Sequence, residues 1–360
     1  MIILKKVIRK KVELKAPYNL SHTSLRTYDT IILLLEKGDL TGYGEATSLR
    51  VYSEETPESI YEILEKIKIP SEIFENIQNF KLFIIKNAEF KKNEFARSAL
   101  ECAYFDLLAK EKKIDFSELI ATLLDEEIKT NRKDIQLIGN IGLVSKEETL
   151  EKIKKYADEG FKVIKIKIGK KVNEDIEKIK SVSEVFPTVK LRLDANEGYS
   201  IEDALIFCRF IKQNQINIEY LEQPIQRNNL DELARIRKET QVPILLDEDI
   251  YNKKNLLKAI EKNALDGFKS KLFKSGIFET IELAKIAKDN NIDFVWGNGV
   301  ETQIGAFAEL KLAQVIKQIN PFCECIGPMK LKENITDKEF KIENGKVKAT
   351  KEIGLGFELA

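Results

Sequence analysis

Five residues carry the chemistry this chain could do: Lys167, Asp194, Glu222, Asp247 and Lys271. They stand 24 to 28 positions apart, each toward the end of a short aliphatic run. The runs are VIKIKIG (163–169), VKLRLDANEG (189–198), NIEYLEQPI (217–225), PILLDEDI (243–250) and GFKSKLFKSG (267–276). Runs this short, flanked by Gly, Pro or Asn, read as buried strands. Paired strands lie about 4.8 Å apart, so carboxylates on three consecutive strand ends are close neighbours. Without a cation they would repel one another. An all-oxygen donor set with room for water suits Mg2+, one per subunit. Lys167 precedes the acids by one strand and Lys271 follows them by one, which puts a lysine on each face of a carboxylate substrate held at the metal. That arrangement suits removal of a proton α to the carboxylate, with the metal stabilising the enediolate. Like charge nearby favours a neutral lysine. One neutral and one protonated lysine could then take a proton from one face and return one to the other, giving the epimer. Positioned proton transfer contributes roughly 10²–10⁴ in rate.

The elements needed to hold these residues are legible around them. NEDIEKIKSVSEV, IEDALIFCRFIKQ and LDELARIRKET separate the runs and repeat apolar residues at helical spacing. Strand and helix in alternation predict parallel βα units, with the functional residues at the C-terminal strand ends where barrels place chemistry. Alternation puts Lys165 on the face of Lys167, Arg192 with Asp194, Tyr220 with Glu222, and Lys269 with Lys271. Such a charged inner face is costly in a core unless counter-charge or metal meets it. IQLIGNIGLVS (135–145) reads as the first barrel strand, NNIDFVWGNGVET (290–302) as the seventh and PFCECIGPMKL (321–331) as the eighth. Ahead of the barrel, 1–14 alternates like a strand, 15–28 reads as a loop, and two strands flank a turn at Lys37-Gly38-Asp39. A second loop follows near 49–54, then helices over 57–68 and 94–112. The expected organisation is an α+β domain over 1–130 and a barrel over 131–331. A C-terminal segment, 332–360, with a hairpin turn at Asn344-Gly345, is expected to return to the first domain.

Composition sets limits. Lys plus Arg and Asp plus Glu both number 59, so net charge gives no reason to expect nucleic acid or an anionic membrane. The N-terminal MIILKKVIRKKVEL has too brief an apolar run for a signal peptide or a span, and cytoplasm is the default expectation. Cys102, Cys208, Cys323 and Cys325 are too few and too scattered for a disulfide framework, and Cys323-Glu324-Cys325, which lacks the partners of a zinc site, reads as a pair of part-buried thiols. The one histidine, His22, sits far from the repeat region, so a Ser-His-Asp triad or a histidine base there is disfavoured. A homo-oligomer is compatible with the sequence, which carries no interface signal.

Lys165-x-Lys167, DANEG (194–198), EQP (222–224), DED (247–249) and KLFKSG (271–276), in this order and spacing, resemble the enolase superfamily, muconate-lactonising subgroup, over nearly the whole chain. The resemblance implies an α/β fold, a modified (β/α)7β TIM-type barrel with an α+β capping domain. It implies Asp194, Glu222 and Asp247 as metal ligands and Lys167 and Lys271 as bases. Lys165 would stand beside the substrate and Glu248 in support of the metal site; Asn196 is either a turn residue or further support. The branch that uses a His-Asp pair is not matched, because His22 stands alone. Among the subgroup's activities, epimerisation of an L-Ala-L-Glu-like dipeptide fits best. Arg26, in the first loop, would hold the glutamate side chain by a bidentate contact. Where the family carries Asp-x-Asp on the last strand, this chain has Glu324-Cys325-Ile326, so Glu324 would hold the substrate ammonium and Ile326 replaces the second acid. A lyase or cycloisomerase of the subgroup, such as an o-succinylbenzoate synthase, needs no ammonium site. A non-catalytic barrel and a Schiff-base aldolase are the remaining alternatives, and neither requires three acids. Lys269 and Lys274 read as structural or solvated, and Glu301 as supporting the site or capping the following helix.

Overall fold

The computed structural model describes residues 4–19, 24–48, 53–297 and 299–360. It opens with an antiparallel meander of β1 (Leu4–Asn19), β2 (Ser24–Lys37) and β3 (Leu40–Thr47). Gly38, at φ 61°, makes the tight turn between β2 and β3. The stretch read as a loop, 15–28, is strand over its described residues. β1 and β2 pair up to Glu13↔Thr27, shift register, and pair again as Tyr18↔Leu25 and Asn19↔Ser24. Pro17, which has no N–H to give, falls inside that shift. The loop expected near 49–54 and His22 lie largely or wholly outside the described residues.

Four helices complete the cap: α1 (Pro57–Lys66), α2 (Ile77–Lys86), α3 (Glu94–Lys112) and α4 (Phe116–Ala121). Thr56 and Ser59 form a reciprocal capping box at the start of α1. α3 is buried around most of its circumference because the cap sheet lies on one side and the barrel on the other. Gly42 and Gly44 permit the close sheet contact: a Cβ on Gly44 would stand 1.9 Å from the Ala99 carbonyl oxygen.

The barrel is built from β4 (Asp134–Leu137), β5 (Gly139–Ile141), β6 (Val163–Lys167), β7 (Lys190–Asp194), β8 (Ile218–Glu222), β9 (Ile244–Leu246), β10 (Gly267–Ser270), β11 (Asp293–Trp296) and β12 (Phe322–Cys323). Strands β5 to β11 form one sheet in sequence order, every pair parallel. Each is followed by one helix: α5 (Lys146–Asp158), α6 (Val172–Val185), α7 (Ile201–Gln213), α8 (Leu230–Thr240), α9 (Lys253–Glu261), α10 (Leu272–Asn290) and α11 (Gln303–Val315). β12 pairs in parallel with β4, and the Glu324 amide donates to the Trp296 carbonyl at 3.0 Å, which joins the last strand to β11. The result is a (β/α)7β barrel under an α+β cap. The single first strand expected over 135–145 is two short strands, because β4 pairs with β12 and β5 with β6. The C-terminal hairpin turns at Asn344 and Gly345, both with left-handed φ, and its strand β13 (Lys346–Lys348) adds antiparallel to β4. Beyond it, Phe357 stacks on Tyr43 and the Leu355 amide donates to Asp106, both on the cap. Among the described residues no helix is long and apolar enough to cross a membrane.

Buried cap carboxylates cap two segments at the barrel mouth. Glu45 of β3 accepts from Thr302 and Gly305 at the start of α11. Glu101 of α3 accepts the amides of Ile277 and Phe278 at 2.6 and 3.0 Å. These two amides begin the second part of α10, because Gly276, at φ 66° and ψ −166°, breaks the helix. Arg97 donates to the carbonyls of Lys274 and Ser275, and Ser98 to that of Leu272. The KLFKSG segment is thus fixed by a cap helix. Gly276→Ala would force a side chain into a left-handed position with its Cβ 2.7 Å from the Glu101 carboxylate. It should lower stability by roughly 1–3 kcal/mol in urea unfolding; an unchanged midpoint would refute this account of the hinge.

Candidate active site

The five chemistry-bearing residues sit on one rim. Lys167, Asp194 and Glu222 are the last residues of β6, β7 and β8, and Asp247 and Lys271 are the first residues past β9 and β10. Register makes them neighbours: Lys167 pairs with Asp194, and Asp194 with Glu222. Lys167 donates to Asp194 Oδ2 at 2.6 Å and to Asn196 Oδ1. Lys271 donates to Asp247 Oδ2 at 2.5 Å. The two lysines therefore flank the acids from opposite sides.

One layer deeper, Lys165 reaches Asp194 at 2.7 Å, Glu222 at 2.9 Å and Glu324 at 3.2 Å. Lys269 reaches Glu222 at 2.6 Å and Glu324 at 2.8 Å. Lys274 donates to the carboxylate and the carbonyl of Asp247, both at 3.0 Å, with its Nζ 4.7 Å from the Tyr251 ring centre. Lys269 and Lys274 had read as structural or solvated. They are buried counter-ions of the acid trio, and the signal for Lys269 was its place on the same strand face as Lys271, inside a closed barrel.

Burial raises the affinity of these acids for a proton, and the cations oppose it. For Asp194, Lys165 and Lys167 outweigh burial and hold the carboxyl below its ordinary range. For Asp247, Lys271 and Lys274 do the same. Glu222 goes the other way, because burial and the neighbouring Asp194 exceed the pull of Lys165 and Lys269. Glu324, opposed by burial but held by Lys165, Lys269 and Arg192, lies at about 2. Glu248 is raised to about 7 by burial beside Asp247 and Asp194.

Asn196 and Glu248 join the site directly. Asn196 turns the chain after β7 at φ 42°, accepts from Lys167 and donates to Glu248 at 3.0 Å. Gln223, given no role from the sequence, accepts the amides of Asp247 and Asp249 on one side-chain oxygen and donates to Asp249 at 2.7 Å. It fixes the turn that presents Asp247; its place inside the EQP motif was the available signal.

Arg26 and Glu324 are placed differently from each other. Arg26 is exposed on β2, not on a loop, and alternation sets it on the face of Tyr28 and Thr30. Those two point at the barrel mouth: Tyr28 donates to the Val300 carbonyl and Thr30 to Glu45. Glu324 is 3% exposed and bound by Lys165 and Lys269. Ile326, two residues on, is 5% exposed. Cys323 and Cys325, read as part-buried, are buried, as are Cys102 and Cys208.

All six carboxylate oxygens of Asp194, Glu222 and Asp247 accept an N–H, five of them from lysines and Asp194 Oδ1 from the Asn196 amide. As these side chains stand, no three acids among the described residues are gathered to hold a metal ion. The donor set itself fits one: three hard carboxylates on adjacent strand ends, with ammonium groups in the positions a cation would take.

Comparison with known proteins places this geometry. Residues 148–360 match the family model described as enolase C-terminal domain-like. Residues 2–121 match that of the mandelate racemase/muconate lactonizing enzyme N-terminal domain. An L-Ala-D/L-Glu epimerase of Francisella tularensis subsp. novicida is 28% identical over 309 residues, 84% of each chain. An o-succinylbenzoate synthase of Bacillus subtilis is 25% identical over 352 residues, 97% of this chain and 91% of that one. A dipeptide epimerase of Methylococcus capsulatus, solved with Mg and the dipeptide L-Arg-D-Lys, superposes with a TM-score of 0.86 at 24% identity, covering 99% of each chain.

Glu301 had been read as a helix cap or a supporting acid. Thr302 and Glu45 cap α11 instead, and Glu301 is buried with neither oxygen hydrogen-bonded among the described residues. Burial, reinforced by Glu45, raises it to about 7. A raised carboxyl favours the fold in its neutral form. Its contribution is complete below its ordinary 4.5 and is lost as pH rises through 7. Glu301→Gln should therefore leave the melting temperature nearly unchanged at pH 4.5 and raise it at pH 8. The gain should be on the order of 2–3 kcal/mol; a difference that stays constant across this range would refute it.

Proposed function

Since the chain belongs to the mandelate racemase/muconate-lactonizing branch of the enolase superfamily, we propose that it is a Mg2+-dependent dipeptide epimerase. It inverts the α-carbon of the C-terminal residue of an L-Ala-L-Glu-like dipeptide. The observation that supports this most is the placement of Lys167 and Lys271 on opposite sides of the acid trio, each bonded to one of its members. Asp194, Glu222 and Asp247 would hold the metal, which supplies positive charge to the substrate carboxylate as the α-proton leaves. Lys167 on one face removes or returns that proton, and Lys271 does so on the other. Asn196 holds the Lys167 ammonium in line through Oδ1. Arg26, on the cap face that meets the barrel mouth, takes the carboxylate of the glutamate side chain.

A second reading is a lyase or cycloisomerase of the same branch, of the o-succinylbenzoate synthase or muconate cycloisomerase type. The burial of Glu324 between two lysines favours it, because it leaves the last strand with apolar Ile326 and no acid turned to a substrate ammonium.

The deciding experiment is turnover of an L,L-dipeptide library in D2O with Mg2+, read by mass. Ala-Glu-like dipeptides should gain one mass unit at the epimerised α-carbon. Lys167→Ala and Lys271→Ala should each lose roughly 10²–10⁴ in epimerisation rate, while each keeps exchange of one epimer only. No exchange on any dipeptide would abandon the epimerase for the lyase reading, and exchange confined to apolar or cationic C-terminal residues would remove the role of Arg26.

A further inference from the structure

The inside of the barrel below the rim contains an unbroken column of charge. Glu324 is its centre: Lys165 and Lys269 donate to it at 3.2 and 2.8 Å, and Arg192 stands 3.6 Å away. Arg192 is fully buried, its guanidinium 5.1 Å from the Tyr220 ring, and it donates to Glu219 at 2.7 Å and to Asn320 at 3.1 Å. Asn320 in turn donates to Glu219 at 2.8 Å. The column therefore runs from Asp194 and Glu222 at the rim, through the two lysines and Glu324, to Arg192 and to Glu219, whose side chain is 11% exposed. The remaining inner side chains at this depth include apolar Leu245 and Val295, packed with Tyr220, whose hydroxyl donates to Glu324 Oε1 at 3.5 Å.

We propose that Glu324 is a positioning residue, the hub that holds Lys165 and Lys269 against Glu222 and thereby tunes how tightly the acid trio takes a divalent cation. Three facts converge on it. Both carboxylate oxygens of Glu324 are engaged by ammonium groups, so it has no oxygen turned to a substrate. The same two lysines bind Glu222, so any change at Glu324 is transmitted to a trio oxygen through one shared ammonium group. Burial away from water makes each unpaired charge costly, so the lysines and Glu324 stand or fall together. Removing the charge of Glu324 leaves the cations to be neutralised by Asp194 and Glu222, which then compete less well for metal. Removing Lys269 does the reverse.

The cycle of Glu324→Gln, Lys269→Met and the double variant tests this, with Mg2+ binding measured by calorimetry and folding by thermal melts. Glu324→Gln should weaken Mg2+ binding about tenfold or more, and Lys269→Met should tighten it. The double variant should return close to the parent in Mg2+ affinity, because the two opposed charge changes cancel, while its melting loss should be smaller than the sum of the single losses, the non-additivity expected of groups in contact. Glu324→Gln should also slow Ala-Glu and N-acetyl-Ala-Glu alike, through kcat. Unchanged Mg2+ affinity, with a raised KM for free-amino dipeptides only, would overturn the proposal and make Glu324 an ammonium ligand. The proposal rests on the metal assignment above, and the two fail separately. If the parent protein binds no Mg2+, that assignment falls, and the hub is judged on melting alone: coupled losses uphold it and additive losses overturn it. Should Glu324→Gln not fold, Lys269→Met and Lys269→Gln carry the Mg2+ comparison, and unaltered affinity in both would overturn it.

Discussion

The structure depends on mutual neutralisation inside a closed barrel. Asp194, Glu222, Asp247 and Glu324 are almost wholly buried, and so are Lys165, Lys269, Lys271, Lys274 and Arg192. No one of these could be buried alone at tolerable cost. Together they form contacts of 2.5 to 3.6 Å in which each acid meets at least two cations. The parallel register makes this compulsory: once Asp194 faces Glu222 across a strand pair, some cation must lie beside them. Lysines on the flanking strands supply it without metal, and a divalent ion would supply it more compactly. Under the proposed mechanism Lys167 and Lys271 would be counter-ion and base at once, so the same side chains would serve both stability and reactivity.

The cap contributes by the same physics at a different place. Helix N-termini carry unsatisfied amides and partial positive charge, and a buried carboxylate satisfies both. Glu45 does this for α11 and Glu101 for the second part of α10, each reaching from cap to barrel. The segments they fix follow β11 and β10, the strands that lead to Gly297 and Lys271. Because a Cβ at Gly297 would approach Lys271 Cε to 2.9 Å, the backbone there must stay bare for the lysine to lie where it does. Cap docking and lysine placement are consequently linked through a few atoms, and a fault in the first displaces the second.

Most of the barrel was legible because period-2 alternation and near-constant spacing are direct consequences of parallel βα units. The strand ends carrying Lys167, Asp194 and Glu222 fall where the runs end, and α3 spans the residues its apolar face marked out. What escaped was nonlocal. The β1–β2 pairing beyond the register shift is two pairs, Tyr18↔Leu25 and Asn19↔Ser24, reached past Pro17 and without strand alternation, so no hydrophobic pattern announces it. The break at Ile138 depends on β12, nearly two hundred residues away, competing for β4. Gln223 and Glu101 act through hydrogen bonds to distant amides, which no periodicity encodes. For Lys269 the reading stays open between structural and solvated, because a lysine beside a strand end is ordinarily solvated and only closure of the barrel makes its face an interior.

Glu324 shows how such closure can change the meaning of a residue. On the sequence alone an acid at the end of the last strand is a candidate ligand for a substrate ammonium. In the folded barrel the side chains of β6 and β10 converge on it from either side, and two lysines take its oxygens before any substrate could. Two residues on, the chain has left the strand and turns, and it carries apolar Ile326 there, 5% exposed. The interior therefore trades a recognition group for an internal strut. If the trio takes a metal as proposed, its affinity would be a difference between two neutralisations, by ammonium and by metal, and not a property of three carboxylates alone.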